Sequence, residues 1–176
     1  MTPALRPATL EDIPAILAIY AREVLHGTAS WELEPPDESE MGRRMAAVLA
    51  GGYPYLAAEV EGALAGYAYA SAYRPRAGYR FVVEDSIYVA PAFRGRGVAR
   101  ALLAALIGAC ERRGFRQMVA VIGDSRNEAS IALHRALGFR HVGTLAAIGF
   151  KHGRWLDSVL MQRALGPGDA TPPGGG

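Results

Sequence analysis

Residues 81–123 constrain the fold of this chain more than any other stretch. Residues 81–89 have the composition and length of a long strand, which stops at Pro91. The turn Arg94–Gly95–Arg96–Gly97 follows, and a helical pattern then runs over residues 98–113 to Gly114. Val98, Leu102, Leu106 and Cys110, flanked by Ala99, Leu103 and Ile107, recur at helical spacing, so one face of that helix must be buried. Residues 118–122 are a continuous apolar run, as expected for a central strand covered on both faces. Such a succession calls for an α/β layered architecture.

The rest of the chain extends this pattern. A short opening strand holds Arg6 and ends at Pro7. Thr9 is expected to cap a first helix with Ile13, Ile16, Leu17, Tyr20 and Val24 on its apolar stripe and Gly27 at its end. Ser39 is expected to cap a second helix that stops at Gly51–Gly52. Residues 56–60 and 64–71 form a hairpin about Glu61–Gly62. After a turn at 123–126, a short helix is expected to face inward with Ala129, Ala132, Leu133, Ala136 and Leu137. Two final strands, about 140–150 and 155–163, join through Lys151–His152–Gly153. Residues 166–176 are Gly- and Pro-rich and are expected to be a disordered tail, leaving one domain over 1–165.

A length of 176 residues suits one domain, and a net charge of +2 is too small to suggest nucleic acid as a partner. A single cysteine, Cys110, rules out an internal disulfide and fits a reducing compartment. No signal-like or membrane-length apolar segment is visible, so a cytoplasmic protein is expected, without membrane association.

The glycine turn carries the first chemical signal. Two glycines let the backbone approach a ligand closely, and the helix that follows offers unpaired N–H groups at its positive end. Arg94, Arg96 and Arg100 add charge, which together suits phosphate oxygens. A Walker loop would need Gly-Lys followed by Ser or Thr, and a dinucleotide fingerprint would need glycine where Arg100 stands. An ordinary glycine-rich turn remains the alternative.

Arg94-x-x-Gly97-x-Ala99 resembles the Q/R-x-x-G-x-G/A loop of the GNAT superfamily of N-acetyltransferases, which holds the pyrophosphate of acetyl-CoA. Asn127-x-x-Ser130-x-x-Leu133-His134-x-x-x-Gly138-Phe139 is similar to that family's second motif. Ala58–Glu59–Val60–Glu61–Gly62, Gly66–Tyr67–Ala68–Tyr69–Ala70, Val119–Ala120–Val121–Ile122–Gly123 and Gly149–Phe150–Lys151–His152–Gly153–Arg154–Trp155 look like the phosphinothricin, methionine sulfoximine and methionine sulfone acetyltransferase group. The resemblance implies a central mixed, mostly antiparallel, twisted sheet of six or seven strands with about four helices and a V-shaped splay between the two central strands. It also implies acetyl-CoA as co-substrate, no metal, and a homodimer. Cofactor contacts would fall on Ile87, Tyr88, Val89, Arg94, Gly95, Arg96, Gly97, Val98, Ala99, Asn127 and Ser130. Asn127 could equally be only a helix cap.

Within residues 83–89 the side chains alternate, so Glu84, Ser86 and Tyr88 share one face and Val83, Asp85, Ile87 and Val89 the other. Acylating an amine requires a base, because an ammonium has no lone pair, and a partly buried carboxylate can take that proton. Glu84 stands where the group has its general base. Asp85 is the rival carboxylate, expected to point inward or to pair with an arginine. The resemblance makes His134 either the acid that protonates the departing thiolate or a group that orients substrate. Arg74 and Arg76 flank Pro75 and could hold a carboxylate or another oxyanion; with Tyr79 they match the group's anion-binding positions. Trp31 and Ser86 would also meet the substrate, unless Trp31 is merely exposed or faces a dimer partner.

An acetyltransferase for a small amino-acid-like amine with an anionic side group is the leading expectation. A protein or peptide N-terminal acetyltransferase and a non-catalytic acyl-CoA sensor are the alternatives.

Overall fold

The computed structural model describes residues 2–174. Seven strands form one sheet in the order β1-β2-β3-β4-β5-β7-β6. They are β1 (Ala4–Pro7), β2 (Tyr55–Val60), β3 (Ala63–Ala72), β4 (Val82–Val89), β5 (Gln117–Gly123), β6 (Arg140–Lys151) and β7 (Arg154–Ala164). Four α-helices accompany them: α1 (Ile13–His26), α2 (Glu38–Ala50), α3 (Val98–Arg112) and α4 (Glu128–Ala136). Every strand pair is antiparallel except β4 with β5.

Local chemistry sets the element ends. Thr9 opens a 3-10 turn, Leu10–Asp12, that leads into α1. The cap of α2 is Asp37, whose side chain accepts from the Glu40 N–H, and not Ser39 as expected. Asp37 lies one residue before the helix with extended backbone, the geometry a cap requires. In the β2–β3 hairpin, Glu61 and Gly62 both have positive φ, 55° and 79°, which matches the twist of the flanking strands.

Alternation along β2 and β3 divides the core into two halves. Ala58, Ala68 and Ala70 face α3, which contributes Val98, Leu102, Leu103, Leu106 and Cys110. Tyr55, Ala57 and Tyr67 face α1 and α2, with Ile16, Val24 and Met45. Each fully buried leucine side chain contributes roughly 1.5–3 kcal/mol. The Cys110 thiol belongs to this core, and burial pushes its pKa up to about 12.

Helix α4 differs from the expected pattern. Ala129, Ala132 and Ala136 are exposed; the inward residues are Ile131, Leu133, Leu137 and, most deeply, His134. A buried histidine with polar partners displaced the alanine face that apolar counting suggested. The tail from Gly166 has contacts with the body: the Arg116 guanidinium donates to the carbonyls of Gly168 (3.0 Å) and Pro172 (3.1 Å). Gly175 and Gly176, part of the expected tail, lie outside the described residues.

Candidate functional site

Strands β4 and β5 pair only at Val82↔Gln117, Val83↔Met118 and Glu84↔Val119. Beyond that point β4 still pairs with β3, and β5 with β7. A cavity of about 1300 Å³ lies there, walled by residues 84–89 and 120–124, by the glycine turn, by the start of α4 and by residues 27–32 of the α1–α2 loop. Single-ligand pockets are about 300–1,000 Å³, so this one has room for two reactants.

The glycine turn sits at one end. Gly95 and Gly97 have φ of 74° and 80°, a region that L side chains resist, and Gly97 is the N-cap of α3. No side chain caps that helix, and Gly97, Val98 and Ala99 line the cavity. Uncapped first-turn N–H groups on a 15-residue helix form an anion site. Arg94 and Arg100 line the cavity as well, whereas Arg96 is not in its wall and lies over the Phe93 ring. In this structure Arg94 is paired with Glu23 of α1, with its Nη2 donating to Oε2 at 3.1 Å. Ile87, Tyr88, Val89, Asn127 and Ser130 all line the cavity. Asn127 is also a cap: its Oδ1 accepts from Ser130 N–H, while its Nδ2 donates to the Gly123 carbonyl.

Glu84 lines the cavity beside Ser86. Desolvation raises its pKa to about 7; the neighbouring charge of Asp85 adds to this and that of Arg74 opposes it. A carboxylate poised there exchanges protons readily near neutral pH.

Asp85 points inward as expected, but its partner is His134 and not an arginine. His134 Nε2 lies 3.0 Å from Asp85 Oδ2, and Nδ1 lies 2.7 Å from the Ser130 carbonyl oxygen. A carbonyl can only accept, so Nδ1 donates to Ser130, and Nε2 faces the Asp85 carboxyl. Both side chains are buried, at 5% and 3% exposure. Burial works against the charged ring, but the hydrogen bond and charge of Asp85 outweigh it, and the pKa of His134 is raised. His134 is therefore held with both ring nitrogens engaged.

The expected substrate residues divide. Trp31 and Ser86 line the cavity. Arg74, Arg76 and Tyr79 stand exposed on the segment between β3 and β4, outside the cavity wall, with Arg74 over the Tyr73 ring. Arg74 nevertheless acts on Glu84 through its charge. The cavity also holds residues not singled out from sequence. Arg154 pairs with the buried Asp124 at 2.8 Å, and Glu23 accepts from the Ala29 N–H. A buried carboxylate next to a turn, as at Asp124, is a signal that a cation must be near, but sequence does not say which one. Among the described residues, no group of three or more His, Cys, Asp or Glu could hold a metal ion. No helix among them is long and apolar enough to cross a membrane.

Residues 15–139 match the acetyltransferase (GNAT) family. The chain is 56% identical over 163 residues to phosphinothricin N-acetyltransferase of Alcaligenes faecalis, covering 93% of this chain and 83% of the relative. It is 42% identical over 173 residues to the L-methionine sulfoximine/L-methionine sulfone acetyltransferase of Pseudomonas paraeruginosa, covering 98% and 100%. A phosphinothricin acetyltransferase from Sinorhizobium meliloti, solved in complex with acetyl-CoA, superposes with a TM-score of 0.98 at 54% identity, covering 100% of this chain and 95% of that one. A ribosomal-protein-alanine N-acetyltransferase from Brucella melitensis superposes with a TM-score of 0.90 at 42% identity, covering 92% and 99%.

The Glu84 carboxyl is expected to titrate with a midpoint of about 7, read by isotope-edited infrared or carbon NMR. Because the Arg74 cation lowers that value, Arg74→Gln should move the midpoint upward; an unchanged midpoint would show that Arg74 does not act on the site.

Proposed function

Since this chain belongs to the GNAT family of acetyltransferases, we propose that it moves the acetyl group of acetyl-CoA onto the amino group of a small amino-acid-like substrate with an anionic side group. Phosphinothricin, methionine sulfoximine and methionine sulfone, named in its relatives, are the substrate type. The carrying observation is Glu84, poised near pH 7, in a cavity that also contains the uncapped start of α3.

Acetyl-CoA supplies the acyl group as a thioester. The N–H groups at Gly97, Val98 and Ala99, with Arg94 and Arg100 beside them, suit its diphosphate. To release its pyrophosphate-facing guanidinium, Arg94 must exchange its bond to Glu23 for one to phosphate. The cavity-facing edges of β4 and β5 offer unpaired backbone groups to an extended arm between them.

The substrate's ammonium must lose a proton before its nitrogen can attack the thioester carbon. Glu84 takes that proton, the amine nitrogen attacks the thioester carbon to form the C–N bond, the C–S bond breaks, and the nitrogen's second surplus proton passes to the departing thiolate, directly or through water. His134 has both nitrogens engaged, so donation from it would require breaking its bond to Asp85 or to Ser130. Its role is to fix Asp85 behind Glu84. Cys110 is buried in the core, which agrees with direct transfer and no acyl-enzyme. In this proposal Arg74, Arg76 and Tyr79 serve the substrate's anionic end, with the charge of Arg74 acting on Glu84, while Trp31 and Ser86 line the cavity.

A second reading, acetylation of a protein N-terminus, is favoured by the ribosomal-protein-alanine N-acetyltransferase among the structural relatives. Thiol release is expected with a sulfone, sulfoximine or phosphinate amino acid and not with an Ala-initiated peptide; the reverse would select the second reading. Glu84→Gln should lower turnover by about 10²–10⁴-fold and keep acetyl-CoA affinity. Full activity in that variant would remove Glu84 as the base.

The homodimer also belongs to this proposal. Val142, Leu145, Ile148, Phe150 and Trp155 of the β6–β7 ribbon are 46–64% exposed, an apolar face suited to a second copy. Sedimentation equilibrium should give a dimer, and Ile148→Asp a monomer; a monomeric unmodified protein would contradict it.

A further inference from the structure

The stretch from Gly149 to Trp155 has no part in the chemistry above, yet it contains a buried lysine. Strand β6 is exposed along most of its length, but its last residue, Lys151, is only 3% exposed. Lys151 Nζ donates to the Ser30 carbonyl at 2.7 Å, reaching across 121 positions of sequence. The next residue, His152, has φ of 53°, and its Nε2 lies 2.9 Å from the Gly27 carbonyl, to which it donates. Both carbonyls belong to the α1–α2 loop, which has no ladder or helix to satisfy them. On the other side of the loop, Thr28 Oγ1 donates to the Gly123 carbonyl at 3.0 Å.

These bonds bracket Trp31. A Cβ on Gly149 would overlap the Cζ3 side of the indole, and a Cβ on Gly123 would come 3.2 Å from Cζ2. Two glycines, one on β5 and one on β6, leave the slot that the ring occupies. Trp31 and the backbone around it line the cavity that contains Glu84. Glu23 and Glu32 oppose the effect of burial on Lys151, which lowers its pKa. Burying an ammonium is costly, and the bond to the Ser30 carbonyl offsets part of that cost only while the loop stays in place.

We propose that Lys151, with His152 and Gly149, is a clamp that fixes Trp31 as a wall of the amine subsite. Lys151 is thus a positioning residue for the amine and not for acetyl-CoA. This inference rests on the proposed reaction for the identity of the amine. The loop position itself rests only on the geometry.

The test compares Lys151→Met, which removes the ammonium, with Gly149→Ala, which fills the slot from the opposite edge. In both, kcat/KM for methionine sulfone is expected to fall by about 10–100-fold, the scale of a displacement near 1 Å, with acetyl-CoA affinity within about twofold. In a Trp155→Phe background, Trp31 is the single remaining tryptophan, and each variant should shift its emission to the red and raise its quenching by acrylamide. If Lys151→Met does not fold, Gly149→Ala and His152→Asn carry the same comparison. Unchanged emission with unchanged kcat/KM would overturn the clamp. An equal loss of acetyl-CoA affinity would overturn it as well, because it would show a general structural effect. If the unmodified protein acetylates no amine, the functional reading fails, while the emission and quenching data still decide whether the clamp exists.

Discussion

Everything in this protein depends on the place where β4 and β5 stop pairing. After Glu84↔Val119 each strand keeps only its outer neighbour, β3 for one and β7 for the other. The inner edges of both strands then carry backbone donors and acceptors with no partner in the sheet. Such groups cost free energy when buried, so the gap must be wet or must hold a ligand with polar groups along its length. The core is packed on both faces of the sheet, with α3 on one and α1 and α2 on the other. The same arrangement places the start of α3 and the carboxylate of Glu84 in one cavity.

Electrostatics inside that cavity follow from burial. Two adjacent carboxylates on β4 experience opposite environments. Asp85 points inward to His134, and Glu84 points into the cavity without a bonded cation. Desolvation and the charge of Asp85 therefore raise Glu84 to about 7, while Asp85 and His134 hold each other. This difference supports the proposed division of labour, with Glu84 moving the proton and Asp85 behind it.

The parts of the fold written in local pattern were legible in the sequence. The hairpin turn, the glycine turn and the buried stripe of α3 depend on residues within a few positions of one another, and they stand where the pattern put them. Features that depend on distant partners were less accessible. Alternation placed Asp85 on the inner face, but nothing local shows that its partner lies 49 positions away. Apolar counting made alanines the inner face of α4, because a histidine with a buried carboxylate partner reads as polar until that partner is known. The proposed Lys151 clamp is likewise invisible: nothing local gives this lysine a role, and only the fold places Ser30 beside it. Arg74, Arg76 and Tyr79 were grouped by their place about Pro75 and by resemblance to the group's anion-binding positions, and they lie outside the cavity wall.

The central claim is that the turn before α3 grips the diphosphate of acetyl-CoA. Calorimetric titration tests it most directly, with the unmodified protein compared to Gly97→Val, which forces a branched side chain onto a backbone with φ of 80°. One molecule of acetyl-CoA is expected to bind per chain, with binding lost in the variant while its circular dichroism stays native. Absence of binding to the unmodified protein, or equal affinity in a folded Gly97→Val, would contradict it.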